Sequence, residues 1–507
     1  MLKFWKKKKD GQPFLYEEKP ELENLELTTK NIRNQIGDSN DIIFRDLYIN
    51  GHMDLPVTLV FVDGLINGKI VDDDILKPLL QETVLTRNKG KDIIKHIMHG
   101  GLYHNSAKVR EKIDECIEDI LTGDVALIFD KENKAITFDI KGFEKRSISE
   151  PSGENIIKGA KDSFVEVLRV NTALIRRKIK TQNLRIKQTK IGQQTLTDVA
   201  VVWIEGIANR HIVDELFRRL DSIKIDGAVS ARFIEEFIID NKWSMFPQVI
   251  YTERSDKLCQ SLLDGRVGLV IDGLPTVYIV PAVYNMFFEA PEDFANNYVA
   301  ASFITLLRYF SYFISLILPA FYIAITTFHQ EMIPTDLTIS IVTSKEGVPF
   351  PSFIEVTGML IAFELLIEAG LRLPKAIGQA ISIVGAVIVG QAAVSAKLES
   401  PTVVIIVALT GIAGFTMPNQ DFSNTVRIWR LILAACSSIA GLFGIVIGML
   451  VMGYRAASME SFGVPYLTPF AANEGKELAQ DTIFRLPLFM MKKRPASLKA
   501  INKKRQT

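Results

Sequence analysis

The stretch VTLVFVDGLINGKIVDD, residues 57–73, returns as VAVVWIEGIANRHIVDE at 199–215. Gly64 falls on Gly206, Asn67 on Asn209 and Asp72 on Asp214, an offset of 142 residues. The same offset carries LTGDVALIFD (121–130) onto LDGRVGLVID (263–272), with Gly123 over Gly265 and Asp130 over Asp272. Two separate matches with no net gap identify an internal duplication, and a repeat has to be recognised before single elements are assigned. Each copy begins with an apolar strand closed by an acid and a glycine, passes through a helical middle, and ends in two strands. In the first copy VALIFDKENKAITFDI alternates and turns at KENK (131–134), a hairpin pattern. Its counterpart VGLVIDGLPTVYIV is apolar enough to pass for a membrane segment, and the duplication makes it a buried hairpin instead.

This predicts two related α/β subdomains, 41–150 and 191–290. A basic, polar tail (1–40) precedes them and a helical linker (151–190) separates them. Within 163–192 the chain is rich in Arg and Lys. A solvated linker helix explains this, and contact with anionic lipid or a partner is the alternative. APEDFANN (290–297) places Pro at a helix start and acids in its first turn, an elbow into the apolar region.

Beyond that elbow the composition changes. Residues 299–454 hold 15 charged residues in 156, against 102 in the other 351. Runs of spanning length occupy 310–326, 377–396 and 431–454, and two further runs, 352–371 and 401–418, are shorter or carry charges. About 20 apolar residues cross a bilayer, so 291–455 reads as a helical polytopic membrane domain with four or five spans, and 456–507 as a C-terminal segment with a basic tail. MLKFWKKKKDGQPF has no apolar core behind its lysines, so the N-terminal region is expected on the cytoplasmic side. Basic residues then alternate correctly by loop, but five crossings leave the seven basic residues of 490–507 outside, so one run is expected to cross incompletely.

The run LIAFELLIEAGLRLP (360–374) carries Glu364, Glu368 and Arg372 on one helix face. Charges inside spans are costly; they pair, face the bundle interior or border water. The stripe is either two ion pairs along one helix or a conduction or gating surface. Glu355 lies on the opposite face, at the interface, and Arg308 is expected to snorkel to the cytoplasmic edge. Gly378, Ser382, Ala386 and Gly390 recur every four residues, as do Ala440, Gly444 and Gly448. That spacing lets helices approach closely, within one subunit or between subunits.

No phosphate-binding glycine loop, His-Glu-x-x-His or Gly-x-Ser-x-Gly elbow is present, and an enzyme is not expected. His96, His99 and His104 lack a carboxylate or thiolate partner, and Asp72–Asp74 suit a helix start better than a metal. Cys116, Cys259 and Cys436 have neither disulfide nor metal spacing. No metal or cofactor is indicated, and the net charge of +1 points to no nucleic acid.

Longer motifs carry a resemblance. GRVGLVIDGLPTVYIVPA (265–282), TTFHQEMIPTDL (326–337), EGVPFPSFIE (346–355), FELLIEAGLRLPKAIGQAISIVGAVIVGQAAV (363–394), SFGVPYLTPF (461–470) and MKKRP (491–495) resemble the A subunits of GerA-type germinant receptors of bacterial endospores. The resemblance implies a nutrient-sensing complex in the spore inner membrane, in contact with its lipids. It further implies a permease-like B subunit, a lipoprotein C subunit, and self-assembly of the A subunit into a cation path. A secondary transporter is the alternative, although no inverted halves are visible. A signalling scaffold is another, although an anchor has no need of charged spans.

Overall fold

The computed structural model describes residues 25–81, 91–102, 106–142, 154, 158–372, 390–470 and 482–505. Strands are β1 Ile42–Tyr48, β2 Pro56–Val62, β3 Ala107–Arg110, β4 Val125–Phe129 and β5 Lys134–Phe138. They are followed by β6 Leu184–Ile191, β7 Thr197–Ile204, β8 Ile250–Thr252, β9 Val267–Ile271 and β10 Val277–Val280. Two antiparallel sheets result, ordered β1-β2-β4-β5-β3 and β6-β7-β9-β10-β8, so the second repeats the first strand for strand. Helices of eight residues or more are numbered: α1 Thr29–Ile36, α2 Ile113–Thr122, α3 Leu168–Lys178, α4 Arg210–Asp221, α5 Ala231–Ile238 and α6 Ser255–Asp264. Helices α2 and α6 lie 142 residues apart, and each stops at a glycine with φ 101° and ψ 18°, Gly123 and Gly265. A left-handed residue after the last turn is inexpensive only for glycine. The expected KENK turn is there as well, with Asn133 left-handed between β4 and β5.

Three expectations need correction. Residues 25–40 are not all tail: Ile32 and Ile36 of α1, four apart on one helix face, and Leu27 just before it are buried against the first sheet. Residues 184–190 are not linker helix but most of β6, paired along its whole length with β7. And α3 is not solvated. Its Arg176 is fully buried, donating from Nε to Asp41 Oδ2 at 2.9 Å, from Nη2 to Asp41 Oδ1 at 3.0 Å and from Nη1 to the Leu184 carbonyl at 3.3 Å. One arginine thus joins the start of the first sheet to the start of the second.

The elbow leads into α7 Tyr298–Thr327, followed by α8 Thr335–Ser344, α9 Ser352–Arg372, α10 Pro401–Phe415 and α11 Gln420–Ala457. Two of these, α7 and α11, are long and apolar enough to cross a membrane. We call the end of this bundle that adjoins the second sheet inner. There Phe288 stacks on Tyr309 with centroids 4.3 Å apart, and Phe287 on Phe422 at 5.5 Å. The core of the second sheet therefore continues without interruption into α7 and α11.

Helix α11 corrects the run 431–454, expected as one crossing. Ala440 (φ −133°, ψ 17°) and Gly441 (φ 56°, ψ −136°) leave helical geometry. A Cβ on Gly444 would strike the Cys436 carbonyl, and one on Gly448 would strike the Leu433 side chain. In a straight helix, residues 433 and 448 stand about 22 Å apart, so α11 is two antiparallel legs, 420–439 and 442–457. The bend rests on the segment after α7, where the Leu442 N–H donates to His329 Nε2 at 3.4 Å. The return leg brings Met452 and Ala456 back to the inner end, beside Phe246 and Tyr312. From there the chain packs on the second sheet: Ser461 Oγ donates to the Gln248 carbonyl at 3.0 Å, and Ile501 N–H to the Ile207 carbonyl at 3.1 Å.

Candidate functional site: a charged layer in the helical bundle

Glu364 does not pair along its own helix. Its Oε2 lies 3.4 Å from Arg427 Nη1 and its Oε1 3.6 Å from Arg430 Nη1, so the acid of α9 reaches across to the first leg of α11. Arg430 is the buried member, 3% exposed. Its Nε donates to the Ser315 carbonyl at 2.8 Å and its Nη2 to Ser315 Oγ at 2.7 Å, both on α7. Gly414 of α10 leaves the space: a Cβ there would lie 3.3 Å from Ser315 Oγ and 3.4 Å from Arg430 Nη2. Four helices meet on one guanidinium. A buried charge persists only when paired and hydrogen-bonded, and here one acid, one hydroxyl and one carbonyl do both.

Glu368 stands one turn further toward the inner end and is exposed. With Ile361 and Leu365 it forms an outward face of α9. The Arg372 side chain lies outside what the structure describes, as do Gly378, Ser382 and Ala386. Gly390 packs within the chain, a Cβ there lying 3.4 Å from Val404 and 3.9 Å from Met359. Gly444 and Gly448 let the two legs of α11 touch. These three small residues serve packing inside the protomer.

Two ionic joints differ from expectation. Arg308 does not snorkel; it turns back to the elbow, donating to Asp293 Oδ1 at 2.9 Å and to the Phe288 carbonyl at 2.9 Å. Glu355 is not interfacial but fully buried at the outer end. It pairs with Lys345 at 2.9 Å and accepts the Ser400 N–H at 3.2 Å, at the N-terminus of α10. Lys345 also donates to Ser352 Oγ. The sequence signal for this joint was an acid in the first turn of an apolar helix preceded by a lone lysine. Beside it, in the loop before α10, burial and then the Glu355 charge push the Glu399 carboxyl up to about 7.

At the inner end the loop that leads into β8 of the second sheet grips α11 directly. Thr425 and Met245 share a hydrogen bond from the threonine hydroxyl to the Met245 carbonyl at 2.5 Å, and Phe246 stacks on Trp429 at 6.3 Å. Trp429 adjoins Arg430 in sequence, so the second sheet and the charged layer share one helical turn. An aromatic cavity of about 340 Å³, lined by Tyr284, Tyr309, Tyr312 and Met452 among others, lies in this joint. Among the described residues no cluster of His, Cys, Asp and Glu could hold a metal.

A duplicated α/β region whose second half is locked onto an apolar helical bundle with a cross-linked charged layer suits a membrane-associated protein. The chain belongs to the Bacillus/Clostridium GerA spore germination protein family, whose model matches residues 30–497. It is 37% identical to Spore germination protein KA of Bacillus subtilis (strain 168) over 94% of this chain and 86% of that one. It is 35% identical to Spore germination protein GerLA of Bacillus cereus, covering 94% and 96%. The crystal structure of the N-terminal domain of the A subunit of the Bacillus megaterium spore germinant receptor GerK3 is 27% identical, with a TM-score of 0.40, over 51% of this chain and 96% of that one. Membership makes this a spore germination protein, a component of a germinant receptor rather than an enzyme.

Proposed function

We propose that the chain is the A-type subunit of a nutrient germinant receptor that assembles with copies of itself into a germinant-gated cation channel. It does so in the spore inner membrane, with a permease-like B subunit and a lipoprotein C subunit. The observation that carries this is the outward face of α9, where Glu368 stands beside Ile361 and Leu365 on a helix packed in the bundle. An acid on a span faces water or another protein surface rather than lipid, and a ring of copies gives it both. Acidic rings select cations. Glu364, one turn earlier on the same helix, ties α9 through Arg430 and the adjoining Trp429 to the second subdomain, so movement there reaches the α9 face.

The topology fits this reading. Helix α9 runs toward the inner end, and the chain is at the outer end again by Lys397, against Gly347. Counting the run 377–396 as a crossing on its composition alone, and α11 as two legs, gives an even number of crossings, which puts both the N-terminal region and the basic tail on the inner, cytoplasmic side.

The test is potassium release from spores carrying Glu368→Gln, with protein level and complex assembly matched to wild type. Release slowed severalfold with the complex intact is expected. Unchanged release would sink the channel role of this face.

A further inference from the structure

We infer that residues 482–505 form a docking surface for anionic phospholipid headgroups, which holds the second sheet against the bilayer; this rests only on the bundle crossing a membrane.

The segment is pinned where α7 begins. The Arg485 N–H donates to Ser302 Oγ at 3.0 Å, and the Arg485 guanidinium lies over the Phe294 ring at 4.7 Å. Tyr309 donates to the Thr482 carbonyl at 3.5 Å. Residues 482–485 thus run beside the first three turns of α7, whose outward side chains include Phe303, 67% exposed, and Phe310. There and just beyond it the segment exposes Phe484, Leu488, Phe489 and Met490, with Phe489 75% exposed. Four exposed apolar side chains within residues 484–490, close to the start of a span, match the depth at which aromatic and apolar groups meet headgroups.

Charge comes directly after them. Residues 492–494 and 503–505 form a short antiparallel clip: Arg494 N–H donates to the Lys503 carbonyl, and Arg505 N–H to the Lys492 carbonyl, both at 3.0 Å. Arg494 turns inward to the Leu263 carbonyl at 2.7 Å, and Arg505 to Asp264 at 3.3 Å. These two hold the clip on α6. The other basic residues of the clip, Lys492, Lys493, Lys503 and Lys504, are all exposed. Two arginines spent on the protein and four lysines left to solvent, directly beyond an apolar strip, are what an anionic membrane surface attracts. Lysine suits this because it is a hydrated point charge that meets phosphate without fixed geometry.

The test uses the full chain in nanodiscs of phosphatidylcholine, with and without phosphatidylglycerol. Phosphatidylglycerol is expected to raise the unfolding midpoint of wild type, and high salt to remove the gain. A variant with Gln at all four lysines should match wild type in phosphatidylcholine and show no gain, each lysine being worth about fivefold in preference for the anionic lipid. In a Cys436→Ala background, bimane on Phe489→Cys should be quenched by doxyl lipids. A gain retained by the Gln variant, or one indifferent to salt, overturns the charge assignment. An unquenched label overturns the docking itself, and disulfide-linked dimers through position 489 would show instead that a second copy covers this face.

Discussion

The two sheets share strand order and helix stops, yet face different surroundings. The first keeps its own core on both faces. It closes one edge with Arg110, whose Nε donates to Asp119 Oδ2 at 2.7 Å while Thr137 donates to the same carboxylate at 2.7 Å. The matching positions of the second copy are Thr252, Ser261 and Ile279, and that copy shares its core with α7 and α11. Duplication preserved the backbone and changed what each copy touches. The second sheet became part of the membrane bundle. The first is joined to it through α3 and β6: Arg176 holds Asp41, Arg185 donates to the Gln35 carbonyl, and the Ile186 N–H donates to Ser39 Oγ while its carbonyl accepts the Asn40 N–H.

Arg176→Met should show the largest effect, about 3–5 kcal/mol, because Asp41 is left charged and buried without its cationic partner, with only the Ser39 hydroxyl donating to it. Hydrogen exchange on the full chain in micelles should reveal lost protection in β1–β5 with α7 and α11 unaffected. Loss throughout would mean the two regions are one cooperative unit. Phe422→Ala removes a ring shared by the second sheet and the bundle and should cost about 3–5 kcal/mol. Here β6–β10 and α11 should lose protection together while the first sheet keeps it. Smaller still, Gly123→Ala and Gly265→Ala each force a side chain into the left-handed region, about 1–2 kcal/mol. A Cβ would lie 3.3 Å from Leu65 in one copy and 3.4 Å from Ala500 in the other. Equal drops in the unfolding midpoint are expected, and a larger one at Gly265 would show that the tail is the less yielding neighbour.

Much of the α/β region was legible because glycine positions and strand alternation are local properties. What escaped depended on distant partners. LRIKQTKI alternates as a strand should, but its basic residues and the helix before it favoured a longer helical linker. The i, i+4 spacing of Glu364 and Glu368 with Arg372 suggested pairing along the helix, whereas Glu364 pairs with Arg427 and Arg430, more than sixty residues away. The GLFGIVIG run read as a helix surface for close packing, and it is one. Its partner is the preceding leg of the same helix, which no periodicity could reveal because the bend needs only Ala440 and Gly441.

The smallest expected effect lies on matching helical surfaces of the two copies, where Asp73 and Glu215 occupy equivalent positions. Asp73 is half-exposed and bonded to Lys77 one turn on, which lowers its pKa. Glu215 is bonded by Arg218 at 2.6 Å and Arg219 at 2.7 Å, and Arg219 continues to Asp240 at 2.6 Å. These hydrogen bonds, Arg218 first, hold the Glu215 carboxyl down at about 2, against an ordinary value of 4.5. A depressed carboxylate stabilises the fold above its unfolded pKa, and that stability is lost as pH falls through the folded one. The loss therefore falls between about pH 4.5 and pH 2, and at neutral pH the pair is worth less than about 1 kcal/mol. Glu215→Gln should lower the unfolding midpoint slightly at pH 7 and flatten its decline across that acid window, while Asp73→Asn should leave both unchanged. If the two variants titrate alike, the extra anchoring of the second copy through Arg219 and Asp240 contributes nothing, and the contrast between the copies is confined to their cores.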